Sequence, residues 1–260
     1  AEMFGFIQGA SKGKGGSMHF YNKASNYWGG AGIVGAQVPV GAGVGFANKY
    51  LSKGEWPAPI SISMFGDGAA NQGQIWEAAN MSKLWNLPNV FMCENNQYGM
   101  GTSSKRSSCN PEYYKQGGVV IPGIRCDGFD VLAVRECMRF AREYCGGGNG
   151  PLFVEMRTYR YHGHSMSDPG ISYRDRDEVT GMRESKDCIE TLKKRIIGAG
   201  WADAAELKKI EKEVRAEVTK AVAAAKKGNL PPEEEVYTDI YVEGIPKFVR
   251  GNEYATSIGL

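Results

Sequence analysis

Asp67 closes an apolar run, Ile60 to Phe65, and stands between Gly66 and Gly68. A carboxylate does not fill a core, and the two glycines leave the backbone open to close approach. An Asp-Gly pair is among the commonest turn signals, so alone it reads as a tight turn. Its company changes that reading. The next apolar run, Val90 to Cys93, ends in Glu94-Asn95-Asn96. If the two runs are neighbouring strands, the amide of Asn96 or Asn95 comes beside Asp67. A carboxylate, an amide oxygen and a nearby backbone carbonyl are hard ligands. They suit Mg²⁺ or Ca²⁺, and Mg²⁺ typically completes its octahedron with phosphate oxygens and water. A helix opening just after Gly68 would aim its free N–H groups at the same anion. Asp127 and the stretch Arg160–His164 also follow apolar runs and complete the candidate polar set.

The elements that must position these residues are legible from periodicity. Residues 60–65 read as a short buried strand. The next segment carries Ile75, Ala78, Ala79 and Leu84 at helical spacing, and Val90 to Cys93 forms the following strand. Strand–helix–strand is the unit of parallel sheets with right-handed crossovers. The alternation continues with a strand near 124–126, a helix bearing Val131, Val134, Met138 and Ala141, and a strand opening at Leu152. Upstream, residues 36–51 are small and apolar on nearly every face, with Pro39 tolerable only near a helix start. They are expected to form a helix packed tightly inside a structure. The sum is an α/β fold, a mostly parallel sheet flanked by helices, in which ligands sit at the carboxyl ends of strands.

Past residue 185 the texture changes. Ile189, Leu192, Ile196 and Ile197 mark one amphipathic helix. Asp203 with Glu206 suggests a capping box that opens a second helix on Leu207, Ile210, Val214, Val218 and Val222, stopped by Pro231-Pro232. The expected division is a cofactor-binding domain over 1–184, incomplete at its N-terminus, and a helical C-terminal extension over 185–260 packed on the same unit.

The totals bound the function. A chain of 260 residues with 42% hydrophobic and 23% charged residues has the composition of a soluble globular protein. No stretch approaches the roughly 20 apolar residues that span a bilayer, so no membrane partner is expected. A formal charge of +2 with no basic tract argues against nucleic acid. Six cysteines with no CxxC pair read as reduced, mostly structural thiols of an intracellular compartment. The opening, AEMFGFIQGASKGKGG, lacks an initiator Met and a signal-peptide hydrophobic region, and is expected to follow a missing N-terminal portion.

GDGAANQGQIWEAANMSKLWNLPNVFMCENN resembles the thiamine diphosphate motif, which runs from GDG to NN. TYRYHGHSMSDPGISYR (158–174) is similar to the phosphorylation loop of alpha subunits in the thiamine diphosphate-dependent 2-oxo acid dehydrogenase family, those acting on pyruvate. KGKGGSMHFY and GIVGAQVPVGAG resemble the same family, so the likeness covers essentially the whole chain. The resemblance implies side-chain Mg²⁺ ligands at Asp67 and Asn96 and a backbone-carbonyl ligand at Tyr98. It implies main-chain contacts to the diphosphate at Gly66, Gly68 and Ala69, and to the aminopyrimidine at Gly32 and Val34. Arg160 and His164 are placed at the diphosphate end, and His164 as a catalytic residue that orients or protonates during lipoyl transfer. Ser103, Ser165 and Ser172 match three serines modified by a dedicated kinase. The implied partners are a beta subunit in a heterotetramer, the lipoyl domain of the acetyltransferase component, and a regulatory kinase and phosphatase. The implied location is the mitochondrial matrix.

Blander readings stand beside these. His162 and His164 read equally as loop histidines with structural hydrogen bonds, and Trp76, Trp85 and the Tyr98 ring as core or interface aromatics. The segment around them, two His with a Gly hinge and an Asp-Pro-Gly turn, reads as a polar, mobile loop. Alpha subunits of acetoin or branched-chain 2-oxo acid dehydrogenases share the motif. A non-catalytic nucleotide- or phosphate-binding regulatory domain would use the same glycine-rich turns.

Overall fold

The computed structural model describes residues 1–117 and 119–242, so the last part of the expected C-terminal extension lies outside the described residues. Contacts divide the chain into two units: Ala31–Glu213, and Ala1–Gly30 together with the described residues from Val214 onwards.

Four parallel strands form the sheet of the larger unit: β1 (Ser61–Gly66), β2 (Asn89–Asn95), β5 (Gly123–Asp127) and β6 (Leu152–Arg157). Their spatial order is β1-β2-β6-β5. Register pairs Gly66 with Glu94, Asn95 with Arg157 and Asp127 with Arg157, so all four carboxyl ends share one rim. β3 (Tyr98–Gly99) and β4 (Thr102–Ser103) are a small antiparallel hairpin that follows β2. The expected parallel α/β architecture is the one observed.

Period-two alternation sorts the strand residues onto two faces. Phe65, Phe91, Cys93 and Phe153 pack under α1 (Gln37–Leu51) and α2 (Gly73–Leu84), with Val38, Ala42, Ile75, Ala78, Ala79, Tyr113 and Ile121. Val90, Met92, Leu152, Val154 and Met156 pack on the other face under α5 (Val131–Gly146), through Ala141 and Cys145. Asp130 caps α5, its carboxylate accepting from the Leu132 N–H at 2.9 Å. Phe153 is fully buried, with Trp76 stacked on it at 5.5 Å and Phe65 edge-on at 6.0 Å.

Three local expectations are corrected by tertiary context. β1 is an edge strand, half covered: Ile62 and Met64 remain 43% and 50% exposed because α5 lies over the other three strands. α1 buries only Val38, Ala42 and Gly45, while Phe46, Tyr50 and Leu51 are exposed. Its seated face is the one with Gly41 and Gly45, where a Cβ would collide with Ser63 Oγ or Asn89 Oδ1, so the glycines let the helix approach the sheet. On α2 the buried set is Ile75, Ala78, Ala79 and Ser82; Leu84 is 75% exposed on the last turn.

α3 (Ser104–Ser107) and α4 (Tyr113–Gly117) lie between the hairpin and β5. α6 (Arg176–Lys186), not anticipated from periodicity, precedes α7 (Cys188–Gly198) and α8 (Ala204–Ala225). The Asp203 cap of α8 forms as expected, accepting from the Glu206 N–H at 2.8 Å. The α8 stripe, however, leaves Ile210, Val214, Val218 and Val222 exposed. Among the described residues no helix is long and apolar enough to cross a membrane.

Candidate active site

Because β1 and β2 are adjacent and parallel, the turns that leave them rise side by side. Asp67 is 1% exposed, and the backbone N–H groups of Asp67 itself and of Asn96 act on its carboxylate to lower its pKa. The tips also meet through backbone: a Cβ on Gly68 would lie 3.1 Å from the Gly99 Cα, and one on Gly99 3.3 Å from the Gly68 Cα. Beside Gly66 the same construction meets nothing within 4 Å, leaving open space on that side of Asp67. Burial pushes the Asp67 carboxyl above its ordinary range. The two N–H donors and the positive charge of Arg160 work against that rise without cancelling it.

The choice between Asn95 and Asn96 is decided by where each amide points. Asn95 is buried and turned inward, its Nδ2 donating to Glu155 Oε1 at 3.0 Å and to the Pro111 carbonyl at 3.2 Å. Asn96 is half-buried, and its Oδ1 accepts from the Tyr98 N–H at 3.0 Å. Asn95 is therefore taken inward, and Asn96 is the amide left at the rim. The Tyr98 carbonyl accepts from Arg160 Nη2 at 2.7 Å, and Arg160 Nη1 reaches the Met100 carbonyl at 3.0 Å. Arg160 thus clamps the β3–β4 hairpin while its charge reaches Asp67.

Past Gly68 the chain first makes a 3₁₀ turn over Ala69–Asn71, and α2 begins only at Gly73, later than expected from the sequence. Asn71 ties this turn down, its Nδ2 donating to the Asp67 carbonyl at 3.3 Å and to the buried Tyr113 hydroxyl at 3.2 Å. Gly32 and Val34 lie in the exposed turn before α1, where the Val34 carbonyl accepts from Gln72 Nε2 at 2.8 Å. That bond connects the 31–36 turn to the segment after Gly68. Ser103 is half-buried in the hairpin.

The segment after β6 carries internal bracing that sequence reasoning missed. The Asp168 carboxylate accepts from the His164 N–H at 2.8 Å, the Tyr173 hydroxyl at 2.6 Å and the Gly170 N–H at 2.8 Å. These donors, the His164 N–H foremost, hold its carboxyl down at about 2. Arg174, 5% exposed, donates to the carbonyls of Arg160 and His162. Its guanidinium lies 5.1 Å from the Tyr173 ring centroid and 5.8 Å from that of Tyr98. The His164 side chain, Ser165 and Ser172 are exposed, and Ser165 Oγ lies 3.1 Å from Ser167 Oγ. No sequence signal separates Asp168 or Arg174 from the other charges of the loop. Glu155 did carry one, as the single charge in the apolar run LFVEM.

Other singled-out features resolve as structural. The glycine-rich loop after Phe6 wraps the Glu2 carboxylate, which accepts the backbone N–H groups of Ser11, Gly13 and Gly15, each at 2.9 Å. Burial works to raise the Glu2 carboxyl, but the three donors prevail and hold it below the ordinary range. Cys93, Cys126 and Cys145 are buried, and burial raises each thiol, that of Cys145 to about 12. Among the described residues no group of three or more His, Cys, Asp or Glu side chains is arranged to hold a metal.

A parallel α/β sheet with a buried aspartate and an asparagine turn meeting at its carboxyl rim defines a ligand-binding domain of the layered α/β class. The chain belongs to the dehydrogenase E1 component family, whose model matches residues 1–234. It is 53% identical over 244 residues to the pyruvate dehydrogenase E1 component subunit alpha-1, mitochondrial, of Oryza sativa subsp. japonica, covering 94% of this chain and 61% of that protein. It is also 53% identical over 251 residues to the somatic form of the mitochondrial alpha subunit of Homo sapiens, covering 96% of this chain and 63% of that one. A similar match, 51% over 244 residues, is to the Pisum sativum alpha subunit, of which 60% is covered. The chain thus spans about three-fifths of the length of these relatives.

Proposed function

We propose that the chain carries the diphosphate-binding part of a pyruvate dehydrogenase E1 alpha subunit, acting in the thiamine diphosphate- and Mg²⁺-dependent oxidative decarboxylation of pyruvate with acetyl transfer to a lipoyl group. The observation that carries this reading is the buried Asp67 carboxylate at the end of β1, where the Gly68 turn meets Gly99 of the turn that leaves the adjacent β2. The donor set fits the group. A buried carboxylate whose protein partners are N–H donors and a distant arginine has acceptor capacity left for a hard cation. Asp67, Asn96 Oδ1 and the Tyr98 carbonyl would hold Mg²⁺, while Gly66, Gly68 and Ala69 would offer backbone to the diphosphate. Gly32 and Val34 would contact the aminopyrimidine. In this reading residues 1–184 form the cofactor-binding domain and 185–260 a supporting extension.

Bound thiamine diphosphate supplies a nucleophilic carbon and an electron sink for loss of CO₂. The chain's share would be positioning: Asp67 and Asn96 would hold the cation that seats the anionic tail, and Arg160 orients the hairpin that would offer the Tyr98 carbonyl. His164, on the exposed loop, would orient the lipoyl group or give it a proton. Phosphate on Ser165, Ser172 or Ser103 would add nearly two negative charges beside an anionic cofactor. At Ser165 it would also meet the Ser167 hydroxyl and the Asp168 carboxylate, loosening the bracing of that loop. The partners in this reading are a beta subunit, which completes the catalytic site, a lipoyl domain, and a kinase and phosphatase. The mitochondrial relatives support a matrix location.

A non-catalytic nucleotide- or phosphate-binding domain using the same turns is the alternative, although the glycine-rich loop at 13–16 already has Glu2 as the acceptor for its N–H groups. The test is to assemble the chain with a beta subunit, thiamine diphosphate, Mg²⁺ and pyruvate, and to measure CO₂. Acetoin and branched-chain 2-oxo acids serve as competing substrates. Release from pyruvate in preference to these is expected. Nucleotide binding indifferent to thiamine diphosphate would overturn the reading.

A further inference from the structure

We infer that Glu155 is a positioning residue for the metal-binding turn, acting through Asn95; this rests on the cofactor site proposed above. Glu155 is fully buried two residues before the end of β6, on the sheet face shared with Phe153. Its neighbours along the strand are apolar, and an ionised carboxylate in such a place costs several kcal/mol unless its oxygens are satisfied. Its charge partner is weak compensation, since Arg125 Nε stands 3.7 Å away on a side chain 33% exposed and also engaged with Glu112. Stability alone therefore gives little reason for a charge here.

The carboxylate is spent on two specific donors. Oε1 accepts from Asn95 Nδ2 at 3.0 Å and Oε2 from the Tyr114 N–H at 3.0 Å. With its amide nitrogen committed to Glu155 and the Pro111 carbonyl, Asn95 must present Oδ1 to the turn, where it accepts the Gln97 N–H at 3.0 Å. Gln97 sits at φ 70°, a left-handed conformation that a non-glycine residue holds only when its surroundings impose it. That conformation reverses the chain between Asn96 and Tyr98, the two residues that would supply the amide and carbonyl oxygens. A flipped Asn95 amide would set its NH₂ against the Gln97 N–H and release the turn. Glu155 fixes the amide's sense and so the geometry of two metal ligands it does not touch.

The test uses the full chain assembled with a beta subunit, with Mn²⁺ as the metal probe. Mn²⁺ binding with thiamine diphosphate is followed by electron paramagnetic resonance and the coenzyme by calorimetry. Glu155→Leu removes both acceptors. Glu155→Gln, the variant that retains folding if the first does not, leaves one acceptor oxygen for two donors. Val154→Ala on the opposite face of the same strand controls for lost stability. The expected result is a rise in the Mn²⁺ and thiamine diphosphate Kd of roughly 10- to 100-fold for the Leu variant, less for Gln, with an altered bound-Mn²⁺ spectrum. Val154→Ala should bind as the unsubstituted protein does, despite a lowered Tm. Unchanged Kd and spectrum in the folded Glu155 variants overturn the inference and leave the cofactor site standing. No Mn²⁺–thiamine diphosphate binding by the unsubstituted assembly overturns both.

Discussion

Asp67→Asn separates the cost of the buried carboxylate from its use. Asn keeps the shape and one acceptor oxygen for the Asn96 N–H, but removes the charge that burial disfavours. A carboxyl whose folded pKa is raised binds its proton more readily in the folded state. The stability it contributes is full below the unfolded carboxylate value and is lost as pH rises through the folded value. Above that folded value the ligand-free protein carries a charge that burial disfavours. Asp67→Asn should leave its Tm equal to or above that of the unsubstituted chain and flatten this part of the pH profile. With Mg²⁺ and thiamine diphosphate at a hundredfold excess over Kd, binding stabilises the folded state by about 2.7 kcal/mol. For a unit of this size that is a rise of about 5 to 11 °C in Tm. The variant should show none of it. Differential scanning calorimetry of both proteins, with and without ligand at pH 5 and 7, makes the comparison. A ligand-free variant several degrees less stable would mean that the carboxylate is a structural acceptor. A variant that keeps the full ligand shift would remove Asp67 from the site.

Gly99→Ala places a methyl 3.3 Å from the Gly68 Cα and must push the two turns apart by a few tenths of an ångström. Calorimetric affinity for thiamine diphosphate should fall about tenfold or more while far-UV circular dichroism stays constant. Arg174→Lys gives up the two-pronged hold on the Arg160 and His162 carbonyls and the stacking on Tyr173, at about 2 kcal/mol. Limited proteolysis should then cut first within 158–174. Phe153→Ala empties the space between Trp76 and Phe65, at about 3–5 kcal/mol by denaturant unfolding.

The strand–helix–strand frame could be read from the chain because period and composition agree there, and a GDG turn followed one strand later by a paired asparagine is a local signal. What could not be read depends on which face of an element meets the sheet. Leu84 falls on the helical stripe of α2 but beyond the reach of the sheet, and Phe46 and Tyr50 lie opposite the glycine face that seats α1. Asn95 and Asn96 are equivalent in sequence; Glu155, sixty residues on, separates them by taking one amide inward. Asp168 and Arg174 owe their roles to loop carbonyls and N–H groups, which leave no imprint on side-chain pattern.

Because every strand of the sheet runs the same way, chemistry and attachment points are kept at opposite rims. Residues 147–151 connect α5 to the beginning of β6, at the far end from Asp67. A spectroscopic label or affinity handle at exposed Asn149 would sit about one strand length, six residues or roughly 20 Å, from the carboxyl rim. It would report tumbling and assembly of the protein without disturbing the Asp67 turn, whereas the same label on Met100 would stand in the segment that Arg160 holds.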